Sequence, residues 1–144
     1  MKIGIGNDHA AVALKNELTA HLKTLGHEVF NYGTDTSEAI DYPVIAKALC
    51  NDIGSTIELG ILVCGTGMGM SIAANKLLGI RAALCGDPFT AQKAKEHNDA
   101  NVLCLGARVI GSELAKMIVD SWLTAEFLGG KYQLRNAMFE EWEK

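Results

Sequence analysis

Short runs of apolar residues alternate along this chain with longer stretches whose apolar residues recur at a helical period, and this alternation constrains the fold most. The runs predicted as strands cover residues 2–6, 28–32, 59–63, 80–84 and 102–105. They are continuous and apolar, as expected of strands buried on both faces of a parallel sheet. The predicted helices cover residues 10–25, 43–53, 68–77, 88–97, 111–127 and 133–143. This order predicts an α/β fold with right-handed crossovers.

The predicted architecture is a three-layer α/β/α sandwich with a Rossmann-like, five-stranded parallel sheet and a C-terminal tail helix. A length of 144 residues favours a single domain over residues 1–144. The net charge of −4 argues against nucleic acid as the main partner, and no apolar run approaches the roughly 20 residues that span a membrane. The N-terminus has no basic region followed by a long apolar stretch, so we predict no signal peptide and expect a cytoplasmic location.

Polar residues follow several predicted strands, at the edge of the sheet where such folds bind ligands. Asp8 and His9 follow the first strand, Cys64 the third and Arg108 the fifth. We expect these groups to converge on one edge, together with His97 at the end of the fourth predicted helix. The four cysteines include no C-x-x-C pair, so a structural zinc site is not indicated.

The segment 65–69, Gly-Thr-Gly-Met-Gly, joins the third strand to the third helix. Glycines there let backbone N–H groups approach an anion, and the helix N-terminus adds partial positive charge. The segment has neither the spacing of the dinucleotide fingerprint nor that of the P-loop. Beside it, a Cys64 thiolate would be favoured and could act as a base or a nucleophile. The alternatives are a tight turn without a ligand and a cysteine that only fills the core.

Basic residues suggest that the bound anion is a phosphate. Arg108 follows the fifth strand, and Lys131 and Arg135 share one face of the tail helix because they lie four residues apart. A guanidinium fork suits phosphate oxygens. For Lys131 and Arg135, a solvated basic face is the alternative.

Taken together, these motifs resemble the family that holds ribose-5-phosphate isomerase B and galactose-6-phosphate isomerase. The most specific match is the segment 64–76, CGTGMGMSIAANK. The other matches are collinear and extend over nearly the whole chain: residues 8–9 (DH), 41–43 (DYP), 79–82 (GIRA), 97–99 (HND), 106–109 (GARV) and 129–135 (GGKYQLR). The chain is therefore identified as a member of that family.

The resemblance implies an aldose–ketose isomerase of the pentose phosphate pathway, which interconverts ribose 5-phosphate and ribulose 5-phosphate. Cys64 would carry a proton between C2 and C1 through an ene-diolate, Thr66 would assist at the sugar oxygens, and His97 would open the furanose ring. Amides of residues 65–69 would form the anion hole. The residues implied in substrate binding are Asp8, His9, Tyr42, Gly65, Gly67, Met68, Gly69, Asn98, Arg108, Lys131 and Arg135.

The family also implies that the enzyme needs no metal and no organic cofactor. It implies a homodimer whose active sites mix residues of both subunits, with a tetramer left open. The sequence departs from the ribose enzymes at Lys131 and Tyr132, where arginine and histidine are expected. Lysine keeps the charge but loses the fork.

Three other readings follow from the residues. The first is the same chemistry on a six-carbon sugar phosphate, such as allose 6-phosphate or galactose 6-phosphate. The second is a sugar-phosphate-binding protein without catalysis, against which Cys64 and His97 count. The third is a thiol-dependent oxidoreductase, against which the missing second cysteine and the missing dinucleotide fingerprint count.

Overall fold

The computed structural model describes residues 1–144 and confirms the predicted α/β class and the order of elements. The strands are β1 (Lys2–Asn7), β2 (Glu28–Asn31), β3 (Leu59–Cys64), β4 (Ala82–Leu84) and β5 (Val102–Gly106). The helices are α1 (Val12–Thr24), α2 (Tyr42–Asn51), α3 (Met68–Asn75), α4 (Pro88–Asn98), α5 (Ser112–Thr124) and α6 (Lys131–Trp142). None of these helices is both long enough and apolar enough to cross a membrane.

The five strands form one parallel sheet in the order β2-β1-β3-β5-β4. With right-handed crossovers, α1 and α4 carry the chain across the sheet in one direction and α2 and α3 carry it in the other. The two pairs therefore cover opposite faces. Two separate hydrophobic cores agree with this division: one contains Leu18 of α1 and Trp122 of α5, and the other contains Leu49 of α2 and Met70 of α3.

Burial on both faces is confirmed for the three inner strands, but it is wrong for β2 and β4, whose residues are half-buried or exposed. Both are edge strands, so each has a neighbour on one side only. Strand β4 also starts at Ala82 rather than at residue 80. The N–H of Arg81 donates to the side-chain oxygen of Asn101 at 2.8 Å.

The helix bounds lie within two residues of the predicted ones, except that α5 ends at Thr124, three residues earlier than predicted. The carboxylate of Asp87 caps α4 by accepting the N–H of Thr90 at 2.8 Å. Gly129 and Gly130 take positive φ angles of 67° and 54°, which turn the chain between α5 and α6. Helix α6 begins at Lys131, two residues earlier than predicted.

Candidate active site

Cys64 is the last residue of β3, the central strand, and it pairs with Gly106 of β5. The chain leaves β3 for α3 on one face of the sheet, whereas it leaves β1 and β5 for α1 and α5 on the other face. Loops that diverge to opposite faces open a crevice at the carboxyl ends of the strands. Cys64 therefore lies at the base of this crevice, with 6% of its surface exposed.

The loop after Cys64 lies against β5 so closely that two glycines are required. Gly67 has a φ of 79°, and a Cβ on it would lie 2.9 Å from the backbone carbon of Leu105. A Cβ on Gly106 would lie 2.6 Å from the carbonyl oxygen of Thr66. Backbone atoms cannot move aside as a flexible side chain can, so these glycines fix the path of the loop.

We expect Gly106→Ala to displace the loop and to lower both stability and the isomerase activity that the family resemblance implies. The added methyl group would meet the backbone of Thr66, and overpacking of this kind costs about 1–3 kcal/mol. Urea unfolding and steady-state kinetics measure the two effects. Gly111→Ala is the matched control, because a Cβ there meets nothing within 4 Å. Equal behaviour of the two variants would contradict the close approach.

Hydrogen-bond donors surround the Cys64 sulfur and the space beside it. The N–H of Gly67 donates to Cys64 Sγ at 3.1 Å, and the N–H of Met68 donates to the Thr66 hydroxyl at 3.2 Å. The N–H groups of Gly65, Thr66 and Gly69 donate to nothing within the chain. Free amides at the start of a helix form an anion-binding cradle.

Arg108 adds a positive charge to this cradle. Its guanidinium lies over Gly65, where a Cβ would be 3.6 Å from Nη1. The backbone explains its placement, because the N–H of Arg108 donates to the carbonyl of Gly65 at 2.9 Å. The arginine and the glycine loop are thus one structural unit, because β3 and β5 are neighbours in the sheet.

The other three cysteines are also buried, but no backbone N–H donates to their sulfur atoms as Gly67 does to Cys64. Burial raises the pKa of Cys50 to about 11. It also raises the pKa of Cys85, and it raises the pKa of Cys104 well above that of a free thiol. These three side chains are protonated thiols at neutral pH, and their role is to fill the core.

The predicted residues Asp8, His9 and Tyr42 belong to the same edge of the sheet as Cys64. Asp8 follows β1 directly, and its carboxylate accepts the N–H of Ala10 at 3.0 Å. His9 Nδ1 accepts the N–H of Ile40 at 3.3 Å. The ring of Tyr42 packs on Gly69 so closely that a Cβ there would lie 2.5 Å from Cζ.

Asn7 supports this edge, although no role was predicted for it. Its buried amide donates to the carbonyl oxygens of Asp8 at 2.9 Å and Thr34 at 3.0 Å. The side chain therefore ties the loop after β2 to the residue that ends β1. No sequence motif predicts the contact between Asn7 and Thr34, because these residues are 27 positions apart.

The expectation that His97 lies at the same edge of the sheet as Cys64 is wrong. Helix α4 starts after the carboxyl end of β4 and runs back, so His97 and Asn98 lie near the amino end of β5. The rise of a strand separates the two edges by about 16 Å over the six residues of β3. The predicted order of elements could have placed His97 at the amino edge of the sheet, because a helix between two parallel strands ends where the next strand begins.

His97 belongs to a second cluster, which brings together the other predicted residues. The imidazole stacks on the ring of Tyr132, with centroids 4.2 Å apart and planes within 8°. Lys131 Nζ lies 5.2 Å from the centroid of that ring, and Arg135 Cζ lies 6.0 Å from it. One chain thus contains two half-sites: the cysteine half-site around Cys64 and the histidine half-site around His97.

Arg81 supports the histidine half-site. Its Nε donates to the carbonyl oxygen of Asn98 at 2.9 Å, and its Nη2 donates to that of Asp99 at 3.0 Å. Asp99 is the one non-glycine residue with a positive φ, 48°. The guanidinium therefore stabilises carbonyls that a helix end leaves without partners. The sequence showed Arg81 only as part of the segment 79–82, since its contact is tertiary.

Comparison with known proteins decides the family. Residues 3–139 match the family model described as Ribose/Galactose Isomerase. The chain is 52% identical to ribose-5-phosphate isomerase B of Escherichia coli, over 93% of this chain and 91% of that protein. The chain belongs to the ribose/galactose isomerase family. It is a sugar-phosphate isomerase, and the resemblance inferred from its motifs is confirmed.

One solved structure and one further relative are also similar to this isomerase over most of its length. The structure of ribose-5-phosphate isomerase B from Clostridium thermocellum superposes with a TM-score of 0.97, at 49% identity, over 99% of this chain and 97% of that chain. The chain is also 51% identical to D-erythrulose-4-phosphate isomerase of Pectobacterium atrosepticum, over 90% of this chain and 87% of that protein. Similar sequences in this family thus carry names with different sugars.

Proposed function

We propose that residues 1–144 act as one domain that interconverts ribose 5-phosphate and ribulose 5-phosphate, with Cys64 as the base. The observation that carries this proposal is the Gly67 N–H on Cys64 Sγ, at 3.1 Å, beside free amides. The free amides beside the sulfur can stabilise the negative charge that develops on the substrate when Cys64 takes its proton. The similarity to ribose-5-phosphate isomerase B over most of the chain supports the choice of sugar.

The thiolate takes the proton from C2 of the open-chain aldose. The electron pair of the C2–H bond forms the C1=C2 double bond, and negative charge develops on the oxygen of C1. Free amides of Gly65, Thr66 and Gly69 stabilise that oxygen, and the Thr66 hydroxyl assists at the sugar oxygens. The thiol then returns the proton to C1, and the C2 hydroxyl gives its proton to the oxygen of C1, which leaves a C2 ketone and a C1 alcohol. Asp8 and the partner's Asn98 hold sugar hydroxyls, and Tyr42 lines the pocket.

Each active site combines the cysteine half-site of one subunit with the histidine half-site of its partner. Within one chain, Cys64 and His97 lie at opposite edges of the sheet, so they cannot act on the same sugar. In a two-fold dimer, any contact between the cysteine half-site of one subunit and the histidine half-site of the other occurs twice. The dimer therefore has two complete active sites. His9 and Arg108 would then hold the phosphate together with the partner's Lys131 and the partner's Arg135.

Helix α6 also favours a second copy of the chain as its covering surface. Asn136 is its one buried residue, and every other residue of the helix except Tyr132 is exposed in the single chain. Large apolar side chains on α3, β4 and α6 are exposed, and Trp142 is 75% exposed. Apolar surface of this extent marks an interface. These side chains are Met68, Ile72, Leu84, Leu134, Met138 and Trp142.

His97→Asn is expected to separate ring opening from proton transfer. Conversion of ribose 5-phosphate, which is cyclic in solution, should fall by about 100-fold or more, since general acid–base catalysis contributes 10²–10⁴. Deuterium exchange from D2O into ribulose 5-phosphate should change little, because this open-chain sugar needs only Cys64. NMR measures both rates in one sample. Equal losses of conversion and exchange would refute the ring-opening role.

The sugar is tested by offering the protein four substrates in parallel. Ribose 5-phosphate, allose 6-phosphate, galactose 6-phosphate and D-erythrulose 4-phosphate are incubated in D2O, and NMR follows exchange and conversion. The four-carbon sugar is included because of the 51% identical relative named for it. We expect the highest kcat/KM with ribose 5-phosphate. A higher kcat/KM with another sugar phosphate would make that sugar the substrate in place of ribose 5-phosphate. Binding of these sugars without deuterium exchange into any of them would favour a non-catalytic binding protein.

A further inference from the structure

Tyr132 has no task in the proposed function, yet it lies directly on the imidazole of His97. The two rings are nearly parallel, at 8°, and their centroids are 4.2 Å apart. This is the geometry of offset stacking, which is favourable beyond simple burial. A stacked imidazole cannot rotate about the bond to its Cβ without losing the contact. The orientation of His97 therefore depends on Tyr132.

Tyr132 is itself held by the turn that precedes α6. Its N–H donates to the carbonyl of Gly129 at 3.0 Å. One residue earlier in the turn, the N–H of Leu128 donates to the carbonyl of Glu96 at 3.0 Å, next to His97 in the sequence. This hydrogen bond holds the turn before α6 against α4, next to the two stacked rings. The ring of Tyr132 is therefore a fixed surface on which the imidazole of His97 stacks.

The hydroxyl of Tyr132 makes no hydrogen bond within the chain, so the contact uses the flat face of the ring. The two cations proposed to bind phosphate, Lys131 and Arg135, lie near the same ring, 5.2 and 6.0 Å from its centroid. One aromatic side chain therefore lies close to both the phosphate-binding cations and the histidine.

We propose that Tyr132 is a positioning residue, which holds the His97 imidazole in the orientation needed to open the sugar ring. The inference rests on the ring-opening role given to His97 under the proposed function. In that step the C1–O4 bond breaks and C1 becomes a carbonyl. The imidazole accepts the proton of the C1 hydroxyl and delivers a proton to the ring oxygen, so its nitrogens must face both atoms.

Three variants separate the ring of Tyr132 from its hydroxyl and from the helix. Tyr132→Phe keeps the stack, Tyr132→Leu removes it, and Gln133→Leu is the matched control because Gln133 is an exposed neighbour. We expect Tyr132→Leu to slow conversion of ribose 5-phosphate by about 2- to 10-fold, the value of one aromatic stack. Deuterium exchange into ribulose 5-phosphate should stay unchanged. Tyr132→Phe and Gln133→Leu should both match the wild type.

A spectroscopic readout reports the stack independently of activity. The ring current of Tyr132 shifts the ring-proton resonances of His97 upfield, and this shift should persist in Tyr132→Phe and disappear in Tyr132→Leu. Full conversion rates in Tyr132→Leu after loss of the shift would overturn the inference. An equal loss in Tyr132→Phe would also overturn it, because the hydroxyl would then be responsible.

The variant His97→Asn is measured beside these and separates the two proposals. If it slows conversion selectively while Tyr132→Leu does not, the inference about Tyr132 is wrong and the role of His97 stands. If His97→Asn slows conversion and exchange equally, the ring-opening role fails and the inference fails with it.

Discussion

Cys64→Ala is expected to abolish isomerisation while the protein still binds sugar phosphate. The substitution removes the group that carries the proton, and general acid–base catalysis of this kind contributes 10²–10⁴ in rate. Conversion of ribose 5-phosphate and deuterium exchange into ribulose 5-phosphate should therefore fall together by at least about 100-fold. This joint loss distinguishes Cys64 from His97, whose loss should spare exchange. Isothermal titration with a sugar phosphate measures the retained binding.

Cys104→Ala is the matched control for this prediction. Its thiol is fully buried, and burial raises its pKa well above that of a free thiol. That variant should lose some stability through a cavity but should keep its turnover per folded molecule. Alkylation supplies a second check, since a bound sugar phosphate should protect Cys64 from iodoacetamide. Near-normal turnover in Cys64→Ala would exclude the cysteine as the base.

Two inactive variants are expected to restore activity when their subunits are mixed. Cys64→Ala removes the base, and Arg135→Glu reverses a charge in the histidine half-site. In a mixed dimer both lesions fall in one active site, and the other site contains an intact Cys64 and an intact Arg135. After random exchange of equal amounts, half of the dimers are mixed, so about one quarter of the sites should be active. Steady-state kinetics before and after subunit exchange measure the gain.

The control for this experiment mixes Cys64→Ala with His9→Ala. Both changes lie in the cysteine half-site of their own subunits, so every active site in a mixed dimer keeps one lesion. That mixture should stay inactive. If native mass spectrometry shows mixed dimers of Cys64→Ala and Arg135→Glu without any gain in activity, the shared active site is refuted.

The sequence by itself determined the class of the fold and half of the candidate site. The alternation of apolar runs and helical stretches gave all five strands and all six helices. The glycines of the segment 65–69 and their place after β3 indicated the anion cradle. These features depend on residues that are close in the chain, where local periodicity and backbone conformation decide the structure.

The tertiary structure alone decided the strand order, the exposed edge strands and the contacts of the histidine half-site. The order β2-β1-β3-β5-β4 sets which loops diverge around Cys64, and no local pattern encodes it. The stack of Tyr132 on His97 joins residues of two helices, and the hydrogen bond from Arg81 to Asn98 joins the residue before β4 to the last residue of α4. Such contacts form only when crossovers have brought distant segments together, because packing and hydrogen bonding act through space rather than along the chain.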